Sequence, residues 1–221
     1  MDPDILVLRI PSLDAGRADE VRSRLLDAEK QGIHKVILDV RECGRGQVSE
    51  AISTARLFVA SGILTTLRGQ TVSAQVFSAE PKQVIWKNPV SVLIDATTSG
   101  AAEVLASAIG ANHRGDVVGE RTFGLASEQK LITLDDGAAL ILTVANYYNP
   151  GGKSIMEEGV TPTEVVRAVV EDDSDTTDEE SAPTPAEAQK EPGLGPRPLS
   201  PEDPIFHRAL DLLKAPVKKA A

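Results

Sequence analysis

Asp4-Ile-Leu-Val-Leu-Arg-Ile10 and Lys35-Val-Ile-Leu-Asp-Val40 stand on either side of a charged segment, Ala18 to Gln31, and these three pieces decide the fold. Each outer piece is a short, mostly apolar run of the kind found in buried strands, and Pro11 ends the first. Between them Val21, Leu25, Leu26 and Ala28 recur at helical spacing, with Gly32 as a stop. Strand, helix, strand in this order predicts a parallel pair joined by a right-handed crossover. Working outward, the turn Arg41-Glu-Cys-Gly-Arg-Gly46 leads into a second helix near Ser49 to Ser61, with Ile52, Ala55, Leu57 and Val59 apolar. Val90 to Asp95 reads as a third buried strand. After Thr97-Thr-Ser-Gly100 comes a helix, Ala101 to Gly110, with Val104, Leu105, Ala108 and Ile109 along one face. Asp116 to Glu120 adds a short strand, and Gln129 to Leu134 with Ala138 to Tyr147 flank Asp135-Asp-Gly137, a hairpin signal. The body is α/β.

At the far end Asp203 and Pro204 make an N-cap and first helical position, followed by Ile205, Phe206, Ala209, Leu210, Leu212 and Leu213 at helical spacing. A helix this short is marginal alone, so it docks on the body or on a partner. Before it, residues 171 to 204 hold eleven Asp and Glu against Lys190 and Arg197, a net of −9 out of the chain's −10. They also hold seven of the fourteen prolines and no aromatic residue, a composition that cannot bury enough apolar surface to offset its ordering entropy. The expected organisation is an α/β domain over 1–170, a disordered acidic linker over 171–204, and a carboxyl-terminal helix over 205–214.

The 221 residues are 41% apolar and 25% charged, a globular composition. No apolar run approaches the roughly 20 residues that cross a bilayer, and Met1-Asp-Pro-Asp4 has neither a basic nor an apolar leader character. The body outside 171–204 carries only −1 and no Lys/Arg stripe, which argues against nucleic acid or an anionic membrane surface as partner. Cys43 is the single cysteine, so no intrachain disulfide forms. His34, His113 and His207 are too scattered for a zinc site, and no metal or cofactor is implied.

Five segments in order resemble the carboxyl-terminal processing (tail-specific) serine peptidases. Asp39-Val-Arg-Glu-Cys-Gly-Arg-Gly46 echoes that family's Asp-Leu-Arg-Gly-Asn-Pro-Gly-Gly turn, and Val118-Gly-Glu-Arg-Thr-Phe-Gly-Leu125 its Val-Gly-Glu-Arg-Thr-Phe-Gly-Lys segment. Asp136 to Thr143, Tyr148-Asn-Pro-Gly-Gly-Lys-Ser-Ile155 and the terminal Asp203 to Leu213 are similar to three further family segments. The resemblance covers about Ile5 to Val166 and then the tail helix. It implies a ClpP/crotonase-like α/β fold and a serine nucleophile at a helix start. A lysine base 25 residues on and a glutamine four beyond that complete the pattern. The logic is that a desolvated lysine can take the serine proton while backbone N–H groups hold the oxyanion.

Anchored on Glu103, the nucleophile position is Gly100 and the base position is Leu125, while Gln129 matches the glutamine. Glycine is nearly as good as serine at an N-cap, so the backbone can persist without the hydroxyl. Leu125 is expected to put an apolar chain where a buried amine sat. Ser99 is the rival nucleophile and is read as a loop or cap hydroxyl. Lys130, Lys153 and His113 are read as surface groups rather than bases, Cys43 as a partly buried, unreactive thiol, and Trp86 as packing. Glu103 is valued only as a charge near a helix N-terminus, about 0.3–1 kcal/mol. Gly46, Glu103 and Gln129 are expected to serve the fold.

The resulting expectation is a catalytically inactive relative that binds peptide or protein carboxyl-terminal segments at Ser99, Gly100, Ala101, Gly44 and Gly46. The alternatives are a weak serine endopeptidase using Ser99, or a structural subunit that pairs with another copy or an active relative. The chain begins where the resembled catalytic domain resumes after a peptide-binding PDZ domain, which suggests either a fragment of a longer exported protein or a domain without its tether. Family members are mostly periplasmic, envelope-associated or lumenal; the residues themselves leave the compartment open.

Overall fold

In chain order the elements are β1 (Ile5–Arg9), α1 (Arg17–Lys30), β2 (Lys35–Asp39), α2 (Val48–Arg56), β3 (Ile63–Gly69), β4 (Gln75–Ser78), β5 (Val90–Ile94), α3 (Ala101–Ala111), β6 (Asp116–Gly119), β7 (Ser127–Thr133), β8 (Ala139–Tyr148), β9 (Glu164–Val165) and α4 (Pro204–Lys214). They come from a computed structural model that describes residues 4–135, 137–167 and 203–215. The expected acidic linker lies outside the described residues over 171–202, as does Asp136 of the hairpin turn.

The first sheet has the order β1-β2-β5-β6-β9 and is parallel throughout. Its strands read as continuous apolar runs because both faces are covered. Alternate side chains divide between two cores. Leu8, Val36, Leu38, Val92, Ile94 and Val117 join α1, α2 and α3 in the larger one. Ile5, Ile37, Leu93 and Val118 point the other way and meet Ile205, Phe206, Ala209 and Leu213 of α4. The tail helix therefore docks on this chain's own sheet. The expected cap is present, with an Asp203 carboxylate oxygen accepting the Phe206 N–H at 3.0 Å.

The second sheet, β4-β3-β8-β7, is antiparallel. Its β7–β8 hairpin follows the sequence signal: the Leu134 N–H reaches the Ala138 carbonyl at 2.8 Å, and Gly137 takes a φ of 84°. The strands β3 and β4 have no counterpart in the sequence reading. Ile63-Leu-Thr-Thr-Leu-Arg-Gly69 shows no clean alternation, because Thr65 and Thr66 are themselves buried; Thr65 Oγ1 donates to the Tyr148 carbonyl at 2.9 Å. The helix expected over Ser49 to Ser61 stops at Arg56. The apolar run continues through Leu57, Phe58 and Val59, but the Leu57 carbonyl accepts the N–H groups of Ile85 and Trp86, both at 3.1 Å, and the chain leaves the helix. Trp86 is buried, as expected of a packing residue. Among the described residues, no helix is long and apolar enough to cross a membrane.

Phe206 closes the outer face of the sheet, and removing a buried ring of this size costs about 3–5 kcal/mol. Phe206→Ala is expected to lower the urea midpoint by an amount in that range, with amide exchange over 205–213 rising to that of an undocked helix. An unchanged midpoint would show that α4 contributes no core.

Candidate functional site

Three loops that follow neighbouring parallel strands converge at one edge of the first sheet, where α/β folds place their binding crevices. They are the 40–47 turn after β2, the 95–100 loop after β5, and the 120–126 segment after β6. Glu103, in the first turn of α3, joins the last two. Its side chain is fully buried and accepts four hydrogen bonds. Oε2 takes the N–H of Gly100 and the N–H of Leu125, each at 2.8 Å; Oε1 takes the Gly124 N–H at 2.6 Å and the Thr122 hydroxyl at 2.5 Å. A further bond joins the same two segments, since the Phe123 N–H reaches the Thr98 carbonyl at 3.1 Å. The positions expected for nucleophile and base are thus held side by side on one carboxylate oxygen. The sequence reading of Glu103 as a charge at a helix end did not include these four donors. A buried carboxylate with four donors is a structural hub, not a solvated charge at a helix end.

Asp95 organises the loop before α3. Its Oδ1 accepts the N–H of Thr97 at 3.0 Å and of Thr98 at 2.8 Å, an Asx turn, and also the Thr97 hydroxyl at 2.8 Å. The Glu42 N–H reaches the same carboxylate at 3.2 and 3.3 Å, and the Ser99 N–H reaches the Cys43 carbonyl at 3.0 Å. The 95–100 loop and the 40–47 turn are therefore laced together. Asp95 and Thr98 were not among the residues singled out in the sequence. The signal that would have found them is Asp95-Ala-Thr-Thr98, where an aspartate ends a buried strand two and three residues before threonines.

Gly100 adopts φ 62° and ψ −119°, a backbone that glycine takes without strain and other residues rarely adopt. A Cβ built on it meets nothing within 4 Å, so the space beside it is open. Ser99 lies against the turn, its hydroxyl 3.0 Å from where a Cβ on Gly44 would sit. No hydrogen bond joins that hydroxyl to a lysine, histidine or carboxylate among the described residues. The N–H groups of Gly44 and Ala101 have no acceptor among the described residues. Gly46 serves a different purpose. With φ 129° it runs against Leu13, where a Cβ would come within 2.4 Å of backbone.

Leu125 corrects one expectation. Its side chain is 43% exposed and stands at the rim with Phe123, 64% exposed, rather than filling a buried amine's place. Gln129 is exposed on β7 opposite Thr143, and no hydrogen bond among the described residues ties it to Gly100 or Glu103. Lys130, Lys153 and His113 are exposed. Cys43 is fully buried beneath the turn, and burial, outweighing the opposing hydrogen bond to the Arg45 carbonyl and the charge of Arg17, pushes its thiol up to about 11.

Residues 4–166 match the sequence pattern of peptidase family S41. The chain belongs to this family. It is 31% identical over 155 residues to a chloroplastic C-terminal processing peptidase of Tetradesmus obliquus, covering 70% of this chain and 33% of that protein. It is 33% identical over 159 residues to a carboxyl-terminal-processing protease of Synechocystis sp., covering 72% of this chain and 37% of the relative. Among solved structures, a photosystem II D1 C-terminal processing protease superposes with a TM-score of 0.69 at 29% identity, over 74% of this chain and 42% of that one. The chain thus spans about a third of the length of the curated relatives it matches. The family S41 likeness agrees with the α/β peptidase fold and the segments that first suggested it.

Two outcomes follow from this geometry. Glu103→Gln turns an amide N–H₂ toward donors that need an acceptor, and it is expected to cost about 3 kcal/mol in denaturant unfolding. A loss under 1 kcal/mol would return Glu103 to the helix-dipole role. The raised Cys43 thiol means that the folded state favours the neutral form. The associated stability is complete below the unfolded value near 9 and is lost as pH rises toward about 11, a span worth about 2–3 kcal/mol. Cys43→Ala is expected to flatten that alkaline decline, read from unfolding midpoints between pH 8 and 11.

Proposed function

We propose that this chain binds extended peptide or protein tails in the crevice formed by Gly44, Ser99, Gly100 and Ala101 and does not hydrolyse them. One observation carries the reading. Gly100 and Leu125 share the Glu103 Oε2, the arrangement in which a nucleophile and a base would meet, yet the first has no side chain and the second has only carbon. Acyl transfer needs a deprotonated nucleophile, and nucleophile and base act as a unit. What persists is the part that binding alone uses: free backbone donors at Gly44 and Ala101 and the apolar rim of Phe123 and Leu125. Main-chain pairing of an extended segment needs no nucleophile. The relatives named above are named for processing carboxyl termini, which makes a protein tail the natural ligand class.

The endopeptidase alternative through Ser99 draws no support from its surroundings, because no base is hydrogen-bonded to its hydroxyl among the described residues. The structural-subunit alternative loses its particular support, the unpartnered tail helix, since α4 covers its own sheet.

Fluorescein-labelled casein is expected to raise its anisotropy on titration with the chain and to remain intact on a gel. Gly100→Ser together with Leu125→Lys is expected to generate cleavage above the blank, where neither single variant does. That rate should climb toward pH 10, because an amine at a half-exposed position keeps a value near the ordinary 10.4. Cleavage by the unaltered chain that disappears in Ser99→Ala would overturn the proposal.

A further inference from the structure

Arg41 stands where three parts of the chain meet. Its buried guanidinium grips Asp39 through Nε to Oδ1 at 2.8 Å and Nη2 to Oδ2 at 2.7 Å. Its Nη1 donates to Asp203 Oδ2 at 2.7 Å, across 162 residues of chain. The other Asp203 oxygen caps α4 by accepting the Phe206 N–H. One carboxylate therefore starts the tail helix and holds Arg41.

Arg41 is also the root of the turn that walls the candidate site. The residues that follow it are held to other parts of the site: the Glu42 N–H goes to Asp95, the Cys43 N–H to the Val40 carbonyl at 3.2 Å, and the Cys43 carbonyl takes the Ser99 N–H. Glu42 holds a φ of 59°, in the left-handed region that non-glycine residues rarely occupy. Such a conformation persists only when its surroundings over-determine it. Asp39, two residues before Arg41 at the end of β2, fixes the guanidinium plane. Asp203 comes from a separate element and adds a tie at the start of the turn, beside those that Asp95, Ser99 and Leu13 make to the turn itself. Burial works against the Arg41 charge, and Asp39 and then Asp203 outweigh it, so the guanidinium is held above its ordinary value.

We propose that α4 is a working part of the Gly100 crevice: through Asp203 and Arg41, its docking positions the 42–46 turn, and its release loosens the wall that Cys43 and Gly44 present to Ser99. Asp203 is then a positioning residue, some 100 positions beyond the crevice it supports. For its effect on ligand this inference rests on the peptide-binding reading; for its effect on the turn it does not.

The test uses the full chain with Asp203→Ser. Serine keeps a hydroxyl cap for α4 but lacks the oxygen that reaches Arg41. The Ser99 amide is expected to exchange about tenfold faster, with the amides of Val104 to Ile109 unchanged, because the opening is local. Anisotropy with fluorescein-labelled casein is expected to show several-fold weaker binding under conditions where the variant is folded. Arg208→Ala, which breaks the exposed pair that α4 makes with Glu164 of β9, serves as the control and should leave Ser99 exchange as in the parent. Asp203→Asn, which keeps the cap and removes the charge, reads the same coupling if the serine variant does not fold. Unchanged Ser99 exchange in the Asp203 variants, or equal acceleration in Arg208→Ala, overturns the inference. Faster Ser99 exchange in a chain that binds no casein would reject the peptide-binding reading and leave the coupling standing.

Discussion

The Glu103 carboxylate is the interaction on which the candidate site depends. A charged group taken fully out of water is tolerated only when its lone pairs are satisfied, and here the Gly100, Gly124 and Leu125 amides and the Thr122 hydroxyl satisfy them. In return, two segments more than 20 residues apart are fixed to the start of one helix. Thr122 extends the hold, since its hydroxyl oxygen also accepts the Val160 N–H at 2.7 Å. The backbone of the candidate site is thereby held without help from the side chains at positions 100 and 125. That independence explains how Gly100 and Leu125 can stand in place without disturbing their neighbours.

Arg41 plays the corresponding part at the other wall. Buried ion pairs contribute little net stability over apolar packing, but loss of one partner leaves an uncompensated charge, at about 3–5 kcal/mol. Asp39, Arg41 and Asp203 therefore act less as a source of stability than as a demand for one arrangement. The sheet, the crevice turn and the tail helix must all be in register for the network to close. Packing makes the same demand, because Ile5, Ile37, Leu93 and Val118 are core only while α4 covers them.

Much of the first sheet was legible in the residues. The runs at Ile5, Lys35 and Val90 are apolar on both faces, which announced strands covered twice, and the stripe from Ile205 to Leu213 announced a helix in need of a surface. The hairpin around Gly137 was legible because its turn chemistry is local. The second sheet's β3 and β4 were not, since Thr65 and Thr66 are buried polar residues whose partners lie on β8, far along the chain. The end of α2 was missed for the same reason: the carbonyl of Leu57, just past its last residue, is claimed by the distant Ile85 and Trp86.

Local pattern by itself determined the α/β class, the parallel unit at the start of the chain and the capped tail helix. Each depends only on residues a few places apart. Tertiary structure alone decided that Glu103 is a buried hub rather than a helix-end charge, that Leu125 stands at an exposed rim, that Gly46 serves Leu13 rather than the crevice, and that Asp203 reaches Arg41. Whether a polar side chain is solvated or buried, and which distant donor meets it, depends on how separate elements pack. No spacing in the chain encodes that.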